Sequence, residues 1–194
     1  DILSAPTSPH RNTSALSITT LSLTGICIPH SPLDPAYLPF LRSLTVPLSR
    51  NYVPLTTISP VLSQLTSLIL LNKDPDTISQ CVTLSTSLKI LSLRLHAIGN
   101  LNSDTQAIIR DRIEELRILI RGASSRDPHT ALSAIITSSR VMKKVILDGY
   151  KLSSYGVTVN HKMSILVPVC KKAEVELWKE NFKVGNGKVD LDSE

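Results

Sequence analysis

The sequence predicts an α/β protein, a solenoid of about seven repeats with short parallel strands on a concave face and helices or coil on the convex face. Two observations lead to this expectation. One spacing of apolar residues recurs along nearly the whole chain of 194 residues. In addition, 42% of the residues are hydrophobic but only 4% are aromatic. The core must therefore be built from aliphatic side chains, which is typical of stacked repeats.

The recurring unit consists of three apolar residues at positions i, i+3 and i+5. Six copies are complete: Ile18, Leu21, Leu23; Leu41, Leu44, Val46; Leu65, Leu68, Leu70; Leu88, Leu91, Leu93; Ile113, Leu116, Ile118; and Met142, Val145, Leu147. A seventh, Val175 with Leu177, lacks its first member because Lys172 stands there. Successive middle members are 23 to 30 residues apart, which is a period expected of repeat architectures.

Each copy predicts one short strand. Apolar residues two apart share one face of a strand, since successive side chains point to opposite sides. The first member of each copy lies where the chain turns into the strand. A strand and its return segment cannot bury their apolar faces alone, so neighbouring copies must stack.

The return segments carry helix signals. Asp34–Pro35 and Asp127–Pro128 have the pattern of an N-cap followed by proline at the first helical position. Ser103 and Gln106 fit a capping box that opens a helix. The segments PDTISQCVTL, TALSAIITSSRVMKK and HKMSILVPVCKK predict further helices, the last interrupted by Pro168. The proline-rich N-terminal repeats are expected to return by irregular coil or one-turn helices.

The pattern resembles the leucine-rich repeat family, whose consensus is LxxLxLxxN/CxL, and the likeness covers nearly the whole chain. The family's Asn or Cys position is occupied here by Ile26, Ser49, Lys73, His96, Arg121, Tyr150 and Glu180. The ending VCKKAEVELWKEN is similar to the degenerate leucine-rich regions of fungal F-box proteins. That resemblance implies the substrate-recognition part of an F-box-type ubiquitin ligase receptor, whose F-box would lie upstream.

A partner-binding surface is predicted on the concave face, because residues that alternate with the apolar ones point into the hollow. These residues are small or aliphatic in the first three copies and charged in the last four. We expect partner contacts from six of them: Arg94, Arg117, Lys144, Asp148, Glu176 and Trp178. A mixed charged surface with an aromatic anchor is typical of protein-binding patches. The alternative is that they are solvated positions, with Trp178 covering the last repeat.

The sequence predicts three regions: a flexible N-terminal segment at 1–14, the solenoid at 15–182, and a terminal hairpin with an acidic tail at 183–194. Three cysteines without disulfide or metal spacing favour a reducing compartment, so we expect an intracellular location, cytoplasm or nucleus. Cys81 and Cys170 are expected to pack as small buried hydrophobes. No apolar run reaches the roughly 18 residues that a membrane span needs.

No catalytic, metal or cofactor pattern is present in the sequence, so we expect a protein-binding module that is not an enzyme. Two alternatives stay open. A secreted or surface leucine-rich repeat protein for adhesion or recognition would give meaning to the sequon at Asn12. The net charge of +5 would permit weak association with nucleic acid, although the scattered Lys and Arg residues do not form the clustered basic stripe of a binder.

Overall fold

The computed structural model describes residues 17–23, 31–46, 54–71, 74–120, 129–149, 156–179 and 182–183. The strands of these segments are β1 Thr20–Ser22, β2 Ser43–Val46, β3 Ser67–Leu70, β4 Ile90–Arg94, β5 Glu115–Ile120, β6 Lys144–Gly149, β7 Glu176–Lys179 and β8 Phe182–Lys183. The helices are α1 Leu55–Leu62, α2 Pro75–Leu84, α3 Leu95–Ile98, α4 Ser103–Arg112, α5 His129–Ser138 and α6 Gly156–Lys172.

All of these strands belong to one sheet, in which they lie side by side in chain order. Strands β1 to β7 are parallel, and β8 pairs antiparallel with β7. The α/β class and the parallel arrangement of the strands are therefore confirmed. A layout with helices between successive parallel strands is compatible with a solenoid.

The predicted middle residues meet each other across the sheet. Leu21 pairs with Leu44, and the same register continues through Leu68, Leu91 and Leu116 to Val145. Because every step keeps this register, the apolar residues of neighbouring strands stack in continuous rows on one face. The spacing in the sequence thus predicted six strands and their alignment correctly.

The seventh copy is placed two residues too early by the sequence pattern. Val145 pairs with Leu177 and not with Val175. Glu174 alternates with Val175 in the sequence pattern, which predicts it on the concave face. In the structure it has a left-handed backbone with φ of 57° and forms the turn that ends α6. The N–H of Val175 returns to Cys170 O at 2.9 Å, as in a Schellman motif. The chain therefore enters the sheet only at Glu176.

One aliphatic core lies between the sheet and the helices. Its strand residues come from one alternating set, for example Leu68 and Leu70 of β3, and both are fully buried. The buried apolar residues of the helices, such as Ile58 and Ile78, join the same cluster. Each buried leucine or isoleucine stabilises the fold by about 1.5–3 kcal/mol relative to exposure.

Of two predicted helix features, one is confirmed and one is wrong. PDTISQCVTL forms α2, and Ile78, Cys81 and Val82 are its buried residues, as expected. In α4 the predicted capping box is wrong, because the cap is Asn102, whose side chain accepts the Thr105 N–H at 2.8 Å. An amide one residue upstream of the hydroxyl therefore occupies the capping position.

The prolines have less effect on the helices than expected. The two-turn helix α1, which contains Pro60, stands where coil or a single turn was predicted. Pro168 lies within α6 and does not interrupt it, since Leu166 and Cys170 on either side of it are held in the core. The Asp34 side chain accepts the Ala36 N–H at 2.8 Å and caps one turn of chain. The predicted cap at Asp127 lies outside the described residues, as do the segment 1–14 and nearly all of 183–194.

Side chains also join one turn to the next where the chain enters the strands. Gln64 donates to Leu38 O at 2.9 Å, Arg112 donates to Ser85 O at 3.0 Å, and Ser139 donates to Arg110 O at 2.6 Å. The carbonyls of Ser85 and Arg110 lie at or near helix ends, where backbone oxygens lack a partner within the helix. These bonds satisfy such groups from the neighbouring turn and support the stacking of successive elements.

Candidate partner-binding surface

The sheet face opposite the helices, here called the open face, is formed by the strand residues that alternate with the core positions. None of these residues belongs to the described hydrophobic core cluster. On β1 and β2 they are hydroxyl residues, namely Thr20, Ser22, Ser43 and Thr45. On β5 to β7 they are mainly charged or large. The open face is therefore the surface on which the two ends of the sheet differ most.

Five side chains on β5 to β7 form a connected group, here called the β5–β7 cluster: Glu115, Arg117, Lys144, Glu176 and Trp178. Arg117 Nε lies 2.7 Å from Glu115 Oε1, and Lys144 Nζ lies 3.7 Å from Glu115 Oε2. Lys144 Nζ also stands 4.2 Å from the centroid of the Trp178 ring. The Trp178 indole N–H donates to Glu176 Oε2 at 3.0 Å. Ion pairs, a cation–π contact and a hydrogen bond thus hold the large side chains of this surface in place.

An apolar residue lies at the centre of the cluster. Ile146 is the cross-strand neighbour of Arg117 on one side and of Trp178 on the other. Its side chain is only 5% exposed, although it lies outside the core cluster. The long neighbouring side chains therefore shield it and give the charged surface an apolar floor.

The structure brings four of the six predicted contact residues together in this cluster: Arg117, Lys144, Glu176 and Trp178. Arg94 and Asp148 lie in the next row of the open face, where Leu119 separates them. The sequence pattern predicts Glu176 in the row of Arg117 and Trp178 in the row of Asp148, but the later entry of β7 moves both by one row. Trp178, and not Glu176, stands in the row of Arg117, while Glu176 stands in the row of Lys144.

Sequence reasoning did not include Glu115 among the contact residues, although its carboxylate joins the two cations of the cluster. A signal for it exists in the sequence. Glu115 precedes Arg117 by two residues and therefore shares its face of the strand. The strand spacing also places it directly opposite Lys144, where opposite charges attract.

A second ion-pair group lies where the chain enters β4, β5 and β6. Glu114 contacts Lys143 Nζ at 2.6 Å and Lys89 Nζ at 3.1 Å. Hydrogen bonds from Lys143 and then Lys89 lower the pKa of this carboxyl from its ordinary value. Both lysines are well exposed, so solvent and salt screen these pairs and they add little stability.

The two described thiols are packed in the core, which confirms the burial predicted for them. Burial raises the pKa of Cys81 to about 12 and that of Cys170 to about 11. Both are therefore almost entirely neutral thiols at neutral pH. Cys27 lies outside the described residues. Within the described ranges, no group of three or more His, Cys, Asp or Glu residues is arranged to hold a metal ion.

Comparison with known proteins gives no relative for this chain: no family model, no curated protein and no solved structure matches it significantly. None of the helices in the described segments has both the length and the hydropathy of a bilayer span.

Proposed function

We propose that this protein is a protein-binding module, a leucine-rich repeat solenoid that receives a protein client on the open, concave face of its sheet. The β5–β7 cluster carries the proposal. It combines Arg and Trp, the residue types that most often dominate binding energy, with a shielded apolar centre. In this function the chain positions a client and catalyses no reaction.

The cluster is suited to binding because its side chains are already ordered. Arg117 is held by Glu115, and Trp178 is held by Lys144 above its ring and by Glu176 at its indole nitrogen. A partner that docks here loses less free energy to the ordering of long side chains than it would on an unpaired surface, where each such side chain costs about 0.5–1.5 kcal/mol.

The regular stacking of LxxLxL segments supports the leucine-rich repeat assignment. Six middle residues with the predicted spacing lie in register along the sheet. Side-chain bonds from Gln64, Arg112 and Ser139 also join the turns that precede the strands. These bonds support a stacked architecture.

We further propose that the client-binding surface belongs to an F-box-type ubiquitin ligase receptor in the cytoplasm or nucleus. The sequence resemblance of VCKKAEVELWKEN supports this, and in the fold that segment runs from the end of α6 through the Glu174 turn into β7. The free thiols of Cys81 and Cys170 favour a reducing compartment. A ligase adaptor would contact only the F-box upstream.

The binding function is tested by affinity capture with the wild-type chain and with an Arg117→Ala/Trp178→Ala variant. A Ser43→Ala/Thr45→Ala variant changes the open face at β2 and serves as the matched control. We expect at least one captured protein to be lost with the first variant and kept with the control. If all three chains capture the same proteins and have the same circular dichroism, the proposed surface is not the binding surface.

The ligase assignment is tested separately on the full-length transcript. We expect an F-box to be encoded within a few hundred residues upstream of Asp1, and we expect the longer protein to co-purify with a ligase adaptor. A transcript with a signal peptide and no F-box would overturn the ligase assignment and leave the binding surface unaffected.

A further inference from the structure

The turns that lead into the strands form one edge of the sheet, here called the strand-entry edge. It consists of the five residues directly before each of strands β2 to β7, all in the described part of the chain: 38–42, 62–66, 85–89, 110–114, 139–143 and 171–175. Backbone hydrogen bonds join these turns, from Thr66 N–H to Arg42 O at 2.9 Å through to Lys143 N–H to Glu114 O at 2.8 Å. The edge is therefore a continuous band, about 24 Å long at the usual spacing of neighbouring strands.

The strand-entry edge gathers cations that are scattered along the sequence. The turns before β2, β4 and β5 contain Arg42, Lys89, Arg110 and Arg112. The turns before β6 and β7 contain Arg140, Lys143, Lys171 and Lys172. The carboxylates of the edge are Asp111, Glu114 and Glu174, which leaves a surplus of five positive charges. The fold brings these cations together because every return segment ends at this edge.

The carboxylates of the edge do not cancel its cations. Glu114 is 32% exposed and is shared by Lys89 and Lys143, which are 53% and 75% exposed. Asp111 is paired with Arg110 at 2.7 Å. Beside the one other carboxylate, that of Glu174, the edge has four other exposed cations: Arg42, Arg140, Lys171 and Lys172.

The helix ends at this edge account for only part of the surplus. Five of the described helices, α1, α2, α4, α5 and α6, end here. A helix C-terminus carries about half a negative charge, which favours cations in the last turn. These five ends together offset about half of the five surplus charges. The strand-entry edge therefore stays positive toward solvent.

Exposed aromatic side chains lie at the β2 end of the same edge. Phe40 belongs to the edge and is 52% exposed, and Tyr37, three residues earlier, is 46% exposed. Arg42 Nη1 donates to Pro39 O at 3.0 Å and to Leu41 O at 2.9 Å. These bonds hold the guanidinium against the turn that carries the Phe40 ring. An exposed ring beside a cation offers a stacking surface for a planar base.

We propose that single-stranded nucleic acid is a second ligand of this protein, bound along the strand-entry edge. Its phosphates lie on the cations before β4 to β7, and one of its bases stacks on Phe40. Proteins that bind single strands without sequence preference combine a positively charged track for the backbone with aromatic rings for the bases. The site is separate from the open face, so it does not depend on the client-binding function proposed above.

A nucleic acid fits this edge better than an acidic protein segment does. Protein interfaces place their aromatic and apolar anchors at the centre, where charged residues are depleted. Here the aromatic rings stand at one end, and cations occupy the band from β4 to β7. A duplex keeps its bases stacked on each other, so Phe40 favours a single strand over a duplex.

The test is the fluorescence anisotropy of a labelled 12-nucleotide uridine RNA at about 50 mM and about 200 mM salt. If about four phosphates are neutralised, binding should weaken roughly 50-fold between these concentrations. Lys171→Ala/Lys172→Ala should weaken binding and make it less sensitive to salt, because phosphate contacts are lost. Phe40→Ala should weaken binding about tenfold and leave the salt dependence unchanged, because stacking releases no counterions.

Two variants serve as matched controls. Lys171→Arg/Lys172→Arg keeps both charges in place and should bind the RNA as wild type does. Gln80→Glu/Ala134→Glu lowers the net charge by the same amount as the alanine pair, at exposed positions of α2 and α5, and should leave the affinity nearly unchanged. If it weakens binding as much as Lys171→Ala/Lys172→Ala does, net charge alone attracts the RNA and the proposed site is wrong.

Circular dichroism checks that each variant is folded. Three further results would overturn the proposal: no binding at about 50 mM salt, equal affinity for a 12-base-pair RNA duplex, or tighter binding of a 12-residue glutamate peptide that depends equally on Phe40. The last result would assign the strand-entry edge to an acidic protein segment.

Discussion

The first strands of the sheet and the last ones share a core and differ on the open face. In β3 and β5 the core positions are alike, since Leu68, Leu70, Leu116 and Ile118 are all fully buried. On the opposite face, β2 presents Ser43 and Thr45, whereas β5 presents Glu115 and Arg117. Stacking therefore constrains one side of every strand and leaves the other side free to acquire binding chemistry.

The return segments differ in the same direction along the chain. Between β1 and β2 the described residues 31–42 form turns without a helix, whereas α6, before β7, has 17 residues. The helices α4 and α5, before β5 and β6, have 10 residues each, as α2 has before β4. Only the last strand of the β5–β7 cluster therefore follows a markedly longer helix.

The largest expected effect on stability is the difference between substitutions on the core face and on the open face of the sheet. Leu68→Ala and Leu116→Ala should each lower the free energy of unfolding by about 2–5 kcal/mol, because each leaves a cavity in the core. Ile69→Ala and Arg117→Ala, on the open face next to them, should cost less than about 1 kcal/mol. Urea unfolding measures all four. Equal costs on the two faces of β3 would contradict the assignment of core and open positions.

The caps of α2 and α4 provide the second comparison. Asp74 accepts the Thr77 N–H at 3.1 Å, and Asn102 accepts the Thr105 N–H at 2.8 Å. Changing either residue to Ala should cost about 1 kcal/mol. The measurement is urea unfolding at neutral pH, with Ser103→Ala as the control outside the capping position.

The two caps should respond differently to acid. A hydrogen bond from the Thr77 hydroxyl is the main cause that lowers the pKa of Asp74 below its ordinary value of 3.8. The ionised Asp74 side chain therefore stabilises the fold fully at pH values above 3.8. This stabilisation is lost as the pH falls through the lowered pKa. The cost of Asp74→Ala should shrink below about pH 4, whereas that of Asn102→Ala should stay constant. If the costs of Asp74→Ala and Asn102→Ala in unfolding free energy change in the same way as the pH falls, the predicted difference is wrong.

The smallest expected effect on stability concerns the Glu174 turn, which determines the residue at which β7 begins. A left-handed backbone costs a non-glycine residue about 1–2 kcal/mol. Glycine avoids this cost, but its greater freedom in the unfolded chain reduces the gain in stability by about 0.5–1 kcal/mol. Glu174→Gly should therefore stabilise the protein by about 0.5–1 kcal/mol. Lys171→Gly, inside the last turn of α6, should destabilise it by about 1 kcal/mol. A Glu174→Gly variant less stable than wild type would exclude the left-handed turn.

Much of the fold could be predicted because it depends on local spacing. The i, i+3, i+5 pattern located six strands and their register. A shift of one residue would move the buried leucines of a strand to its exposed face, so only one register keeps them in the core. The seventh strand was misplaced because Val175 and Leu177 satisfy the same pattern. Only the Glu174 turn, where Val175 N–H bonds to Cys170 O, decides which one enters the sheet.

The candidate surface could be predicted only in part. Alternation along a strand placed Arg117 and Lys144 on the open face correctly. The pairing of Trp178 with Lys144 and the role of Glu115 needed the register of three strands at once. Distances between side chains on different strands are not contained in any one repeat of the sequence.

The amino-acid sequence by itself determined the class of the fold, the positions of six strands and the face that each strand buries, because apolar spacing and burial are local properties of the chain. Tertiary structure decided the rest. It set the entry of β7, let α6 continue through Pro168, and joined Glu115, Arg117, Lys144, Glu176 and Trp178 into one surface. The reason is physical: these outcomes depend on contacts between segments about 30 residues apart, whose energies no local pattern of residues contains.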